Sequence, residues 1–211
     1  MLQFQKSLPK LINGSNHKMS GLSCFQPLFG NTHDNVPPST CSYHEPPPGD
    51  GSVVDYYSTN PSVFGKILNG ESPSRDYAES LELLAFRDRS PKAEFHALVI
   101  PKRYVPDVYS LNPDDESDLY LVRDMRRMAL WLLECHQPQA LATDDYVLCY
   151  HVPPFNSVDH LHLHVLAPAS GMGWMYRHGK YNCGTPWCIA DMEVIDRLSR
   201  GLAAVPYVKM F

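Results

Sequence analysis

Three histidines alternate with aliphatic residues in the stretch His160-Leu161-His162-Leu163-His164-Val165-Leu166. In an extended chain, side chains two apart point to the same side. His160, His162 and His164 are therefore expected on one face, with Leu161, Leu163 and Val165 on the other. The aliphatic set can serve a core, whereas three imidazoles at steps of roughly 7 Å are not explained by packing. Two chemistries use such a set. Histidines on a strand can ligate zinc with a further group from elsewhere, or one imidazole can act as nucleophile while its neighbours hold protons and phosphate oxygens. Ser157 offers a hydroxyl close by, and no closely spaced Cys or Asp follows to complete a metal shell, so the second chemistry is favoured.

The elements that must position these residues are legible as periodic apolar runs. Asn60 as N-cap, Pro61 at the first helical position and Gly70 past the end predict a short helix with Val63, Phe64 and Ile67 on its apolar face. The runs 81–86 and 95–100, separated by the polar stretch 87–92, predict two antiparallel strands. A long helix is predicted from about Asn112-Pro113 to His136, where Gln137-Pro138 stops it. Asp114, Asp115 and Glu116 fall in its first turn, and Val122, Met125, Ala129, Leu132 and Leu133 recur at helical spacing. Met125 and Trp131 read as core packing. Two more strands are expected over 146–151 and 160–166, joined by the turn 152–159. The fold class is α+β, an antiparallel sheet with a long helix laid across it and a short N-terminal helix.

Composition divides the 211 residues in two. Residues 1–56 are rich in Pro, Ser, Asn and Gly, a makeup that cannot bury enough apolar surface to offset its ordering entropy, so this tail is expected to be disordered. Residues 57–211 are dense enough in apolar positions for a core. The net charge of -5 gives no overall basic field, so binding to nucleic acid as a bulk polyanion is not suggested, but it leaves room for small anions at local sites. No apolar run of membrane-spanning length exists. Lys6, Lys10 and Lys18 without acidic residues give the first thirty residues some transit-peptide character, although arginine is missing. Cys24, Cys41, Cys135, Cys149, Cys183 and Cys188 are scattered and read as ordinary thiols in a reducing compartment, with a metal site of Cys183, Cys188 and a His as the less favoured alternative because four residues intervene.

The stretch from Pro153 through Ser157, His160, His162 and His164 to Pro168 resembles the signature of the histidine triad family, most closely its Hint branch of nucleoside phosphoramidases. Residues 63–73, with Val63-Phe64-Gly65-Lys66-Ile67-Leu68, are similar to the family's opening helix. Residues 84–91 and 96–102 continue the match, which spans about residues 61–192 in family order. Pro153-Pro154-Phe155, where the best-known Hint proteins have glycines, resembles a divergent Hint subgroup and aprataxin-like domains. Residues 178–186 read as an insertion of unreadable role.

The resemblance implies a histidine triad fold, a mononucleotide in a cleft, and cleavage of the P–N bond of purine nucleoside 5'-phosphoramidates such as AMP-lysine through a nucleotidyl-histidine. His162 corresponds to the nucleophile, His164 and Ser157 to contacts with the phosphate or leaving group, and His160 to an orienting partner linked with His96. Asp88 corresponds to the ribose-binding carboxylate, and Val63, Phe64, Ile67 and Phe86 to the lining beside the base. Asn156 and Arg89 count among the nucleotide-binding positions, although the family commonly has an aliphatic residue where Arg89 stands. Ser62 and Gly65 occupy the places where some members carry a zinc-type Cys pair, so no metal is implied there, and no cofactor is needed. A homodimer in the cytoplasm or nucleus is expected, with no membrane partner. The alternatives are removal of AMP from 5'-adenylated DNA, the one reading with a nucleic-acid partner, although no zinc module of the kind that accompanies it is found in these residues. Cleavage of dinucleoside polyphosphates and a catalytically weak nucleotide-binding scaffold complete the set.

Overall fold

The computed structural model describes residues 56–206, so the N-terminal tail and its expected disorder lie outside the described residues. A single turn, α1 (Tyr56–Thr59), precedes the short helix α2 (Val63–Leu68). Strands β1 (Asp76–Glu79), β2 (Leu83–Arg87) and β3 (Phe95–Pro101) follow. The long helix α3 (Glu116–His136) and the short α4 (Pro138–Ala142) lead to β4 (Val147–His151) and β5 (Leu163–Ala167). The described chain then runs through β6 (Cys188–Ala190) into α5 (Asp191–Ser199). All six strands are antiparallel in the order β1-β2-β3-β5-β4-β6. The architecture is α+β, as expected. Among the described residues no helix is long and apolar enough to cross a membrane.

The sheet has two working faces, set by the alternation of side chains along each strand. Ala97, Val99, Leu148, Tyr150, Leu163, Val165 and Ile189 point to one face and form the main core with Leu121, Val122, Met125, Met128, Ala129, Leu132 and Leu133 of α3. The opposite face carries the chemistry. There α2 packs Phe64 onto Leu84, Phe86, Leu98 and Ile100, and beyond them lie His96, His164 and Cys149. Helix α3 starts at Glu116, later than expected, because residues 112–115 close a turn through Asp115 N–H to Asn112 O, and the Asp115 side chain then caps Ser117 N–H.

Two expectations are corrected. The N-cap of α2 is Ser62, whose Oγ accepts from Phe64 and Gly65 N–H, and Asn60 stands outside the helix with a different task. The triad does not lie on one strand, because β5 begins at Leu163 and only His164 belongs to it. Leu161 N–H is drawn to Val105 O at 2.7 Å, which lifts the chain off the sheet before it joins β3.

Candidate active site

His160 is buried and fixed at both nitrogens. Nε2 lies 2.8 Å from Pro101 O, and a carbonyl only accepts, so Nε2 carries the proton. Nδ1 then accepts from Asn60 Nδ2 at 2.6 Å, while Asn60 Oδ1 accepts from Ser62 N–H and Oγ–H. The expected link between His160 and His96 is therefore not made. His96 bonds His164 instead, because β3 pairs with β5 in a register that brings those two rings together, whereas His160 lies ahead of the strand.

His162 donates from Nδ1 to His160 O at 2.6 Å, which leaves the Nε2 lone pair free. Phe64 makes T-shaped contacts with both His160 and His162, with ring centroids 5.8 and 5.5 Å away. His96 Nδ1 accepts from Lys92 N–H at 3.2 Å, so its proton is on Nε2 and is donated to His164 Nδ1 at 3.0 Å. His164 consequently carries its proton on Nε2, a buried donor with no hydrogen-bond partner among the described residues. A free lone pair on His162 and a free N–H on His164 sit on rings only 4.9 Å apart.

Burial keeps these imidazoles neutral, because the charged form is poorly solvated there. It pushes His160 down to about 4 against the help of Pro101 O, and His96 down to about 4 against the attraction of Asp88. It also lowers His162, and it lowers His164 well below its ordinary value, assisted by the neighbouring His162 and His151.

A cavity of about 990 Å³ opens onto His162 and His164. Val63, Phe64, Ile67 and Phe86 line its apolar side, Asp88 and Arg89 its polar side, and Ser157 lies at its exposed mouth. Arg75 and Arg87 also reach it, so a locally cationic lining exists within an acidic chain. Asp88 accepts from Ser90 N–H at 2.6 Å and stands 3.5 Å from His96 Nε2, serving as turn former and site residue together. Asn156 is the exception. It does not line this cavity, and its amide is spent within its own turn on Val158 O and Asp159 Oδ1.

Three residues of the site were not found by sequence reasoning. Asn60 reads as a helix cap until the fold places it against His160. His151 ends β4, its ring centroid is 4.7 Å from that of His164, and its Nε2 is the other buried nitrogen without a partner among the described residues. Nδ1 of His151 faces Trp187 O at 3.3 Å, so Nε2 is an acceptor. Tyr181, from the 178–186 insertion, covers His96, His151 and His164 with its ring. Strand parity could have placed His151 on the face of Cys149, but only the β4–β5 register joins that face to the triad.

A family model described as scavenger mRNA decapping enzyme C-term binding matches residues 61–179. The chain is 39% identical over 150 residues to adenosine 5'-monophosphoramidase HINT3 of Danio rerio, covering 71% of this chain and 89% of that protein. It is 40% identical over 105 residues to the bifunctional adenosine 5'-phosphosulfate phosphorylase/adenylylsulfatase HINT4 of Arabidopsis thaliana, covering 50% and 68%. A solved HIT family hydrolase from Legionella pneumophila is similar at 28% identity and a TM-score of 0.45, covering 59% of this chain and 97% of that one.

Proposed function

Because the chain belongs to the histidine triad family and is Hint-like within it, we propose that it hydrolyses purine nucleoside 5'-phosphoramidates to the mononucleotide and an amine. The observation that carries this reading is the His162 Nδ1–H bond to His160 O, which leaves the Nε2 lone pair beside a cavity of nucleotide size. Nε2 attacks phosphorus as the P–N bond to the amine breaks, and the leaving nitrogen takes a proton from solvent. The His162 ring becomes cationic on bonding phosphorus, and the His160 carbonyl stabilises it at Nδ1. His164 Nε2–H and the Ser157 hydroxyl donate to the phosphate oxygens, where charge is spread during transfer. Water then attacks phosphorus and gives up a proton to solvent as the Nε2–P bond breaks, and neutral His162 returns.

Asp88 takes the ribose hydroxyls and the apolar wall takes the base. Arg89, beside Asp88, contributes positive charge for the anionic nucleotide. A homodimer and a cytoplasmic or nuclear location belong to the same reading and rest on the family resemblance.

The test is a panel of AMP-lysine, adenosine 5'-phosphosulfate, a diadenosine polyphosphate and 5'-adenylated DNA, compared by kcat/KM. Adenosine 5'-phosphosulfate belongs in it because the Arabidopsis relative is named for that compound. The highest value is expected for AMP-lysine. A higher value for another member would reassign the leaving group, and no turnover of any would leave a nucleotide-binding scaffold.

A further inference from the structure

Cys149, Cys183 and Cys188 reach one point from three segments that sequence spacing does not connect. Cys149 is in β4, Cys188 opens β6, and Cys183 lies in the insertion. Their Sγ atoms all lie within 4.8 Å of one another, with Cys183 and Cys188 at 3.7 Å. The β4–β6 register, which sets His151 opposite Cys188 and Cys149 opposite Ala190, puts both strand cysteines on the site face of the sheet. A tight turn returns Cys183 to them, with Gly184 at φ +83 and its N–H bonded to Cys188 O. Read along the chain, Cys183 and Cys188 are ordinary thiols, because their companion is far upstream in β4.

Buried cysteines can act as plain small hydrophobes, and these pack in a cluster with Leu166, Ala169, Met172 and Tyr181, but their three sulfurs also converge on one another, which apolar packing alone does not require. A disulfide needs sulfurs about 2.05 Å apart and would consume two thiols while stranding the third. Tetrahedral zinc, with bonds of about 2.3 Å to thiolates, spaces its sulfurs by about 3.8 Å. The Cys183–Cys188 separation of 3.7 Å is close to that spacing, and the other two pairs lie within 4.8 Å. The insertion also has little burial of its own to hold it, since Tyr181 is the one buried residue within 178–186.

We propose that Cys149, Cys183 and Cys188 bind a zinc ion that clamps the insertion to the sheet. The three thiols release their protons to solvent on binding, no electron is transferred, and water fills the fourth position. The ion takes no part in the chemical step and acts through position. It holds Tyr181 over His96, His151 and His164, and keeps Lys180 beside them. The site is independent of which nucleotide is cleaved.

The full chain, purified with a reductant, is dialysed and its zinc measured per chain, and the ion is then exchanged for Co²⁺. One equivalent of zinc is expected, as is a cobalt form with thiolate charge-transfer bands in the near ultraviolet and tetrahedral bands in the visible. Cys135→Ser, on α3 and outside the cluster, should retain both signals. Cys183→Ser should lose both, and chelation should lower the unfolding midpoint of the wild type but not of this variant. If Cys183→Ser does not fold, Cys183→His keeps a ligand and should retain the ion with an altered charge-transfer spectrum. A reduced, folded wild type that takes up neither zinc nor cobalt stoichiometrically overturns the proposal, as does equal binding by Cys183→Ser.

Discussion

The protons of the active-site imidazoles are assigned by groups that can only donate or only accept. Pro101 O, His160 O and Lys92 N–H leave His162 with a free lone pair and His164 with a free N–H. Asn60→Ala should therefore act on chemistry without touching the nucleotide. With His160 Nδ1 unpaired, a loss of about 1 kcal/mol in positioning corresponds to a kcat some five- to tenfold lower, with AMP affinity unchanged in a titration. Equal losses in kcat and AMP affinity would show a general collapse of the site instead. Burial also makes a pH prediction. With His160 and His96 held down at about 4, the unfolded chain takes up protons that the folded chain refuses as pH falls from about 6.5. Stability is therefore full above that window and is lost through it, by about 3 kcal/mol for His160 alone. The unfolding midpoint should be level near pH 7 and fall between pH 6.5 and 5, before ordinary carboxylates titrate. A level midpoint down to pH 5 would mean that these histidines are solvated.

Helix α2 owes its place to a close approach rather than to propensity. A Cβ on Gly65 would meet Asn60 O at 2.1 Å, so the absence of a side chain lets the backbone of Asn60 pass and its amide reach His160. Gly65→Ala should displace Asn60 and lower kcat, whereas Gly70→Ala, at φ +71 with open space around it, should cost about 1 kcal/mol of stability and leave kinetics intact. Steady-state kinetics on both variants separate the two, and matched kinetic losses would refute the role given to Gly65. The long amphipathic α3 and the apolar β2 and β3 could be read from the sequence because each carries its own period. Strand β1 could not, since Asp76–Glu79 buries only Ala78 and has little strand propensity. Nor could β6 and α5, because three residues are too few for a period and Ala190 makes no side-chain cap. The triad was legible from its alternation, yet its pairing was not. Whether His96 meets His160 or His164 depends on the β3–β5 register and on Val105 lifting residue 161 away.

At the scale of the whole molecule, every residue that lines the cavity and every member of the core clusters lies between Asn60 and Val205 among the described residues. A chain beginning at Asp55 should therefore keep its cooperative unfolding and its kcat at saturating substrate. Loss of either would make the tail part of the core or the site. By the proposed route the molecule passes through a covalent state, with the nucleotidyl group on His162 between two displacements. His162→Asn removes the nucleophile while keeping a polar side chain, and its turnover should fall far more than the ~10²- to 10⁴-fold cost of losing one proton-transfer group or donor. The most direct measurement is the mass of the intact protein, mixed rapidly with AMP-lysine and quenched without acid, followed by peptide mapping. The expected result is a population heavier by one AMP group, mapped to His162 and missing from His162→Asn. An adduct on another residue, or wild-type turnover in His162→Asn, would contradict the account.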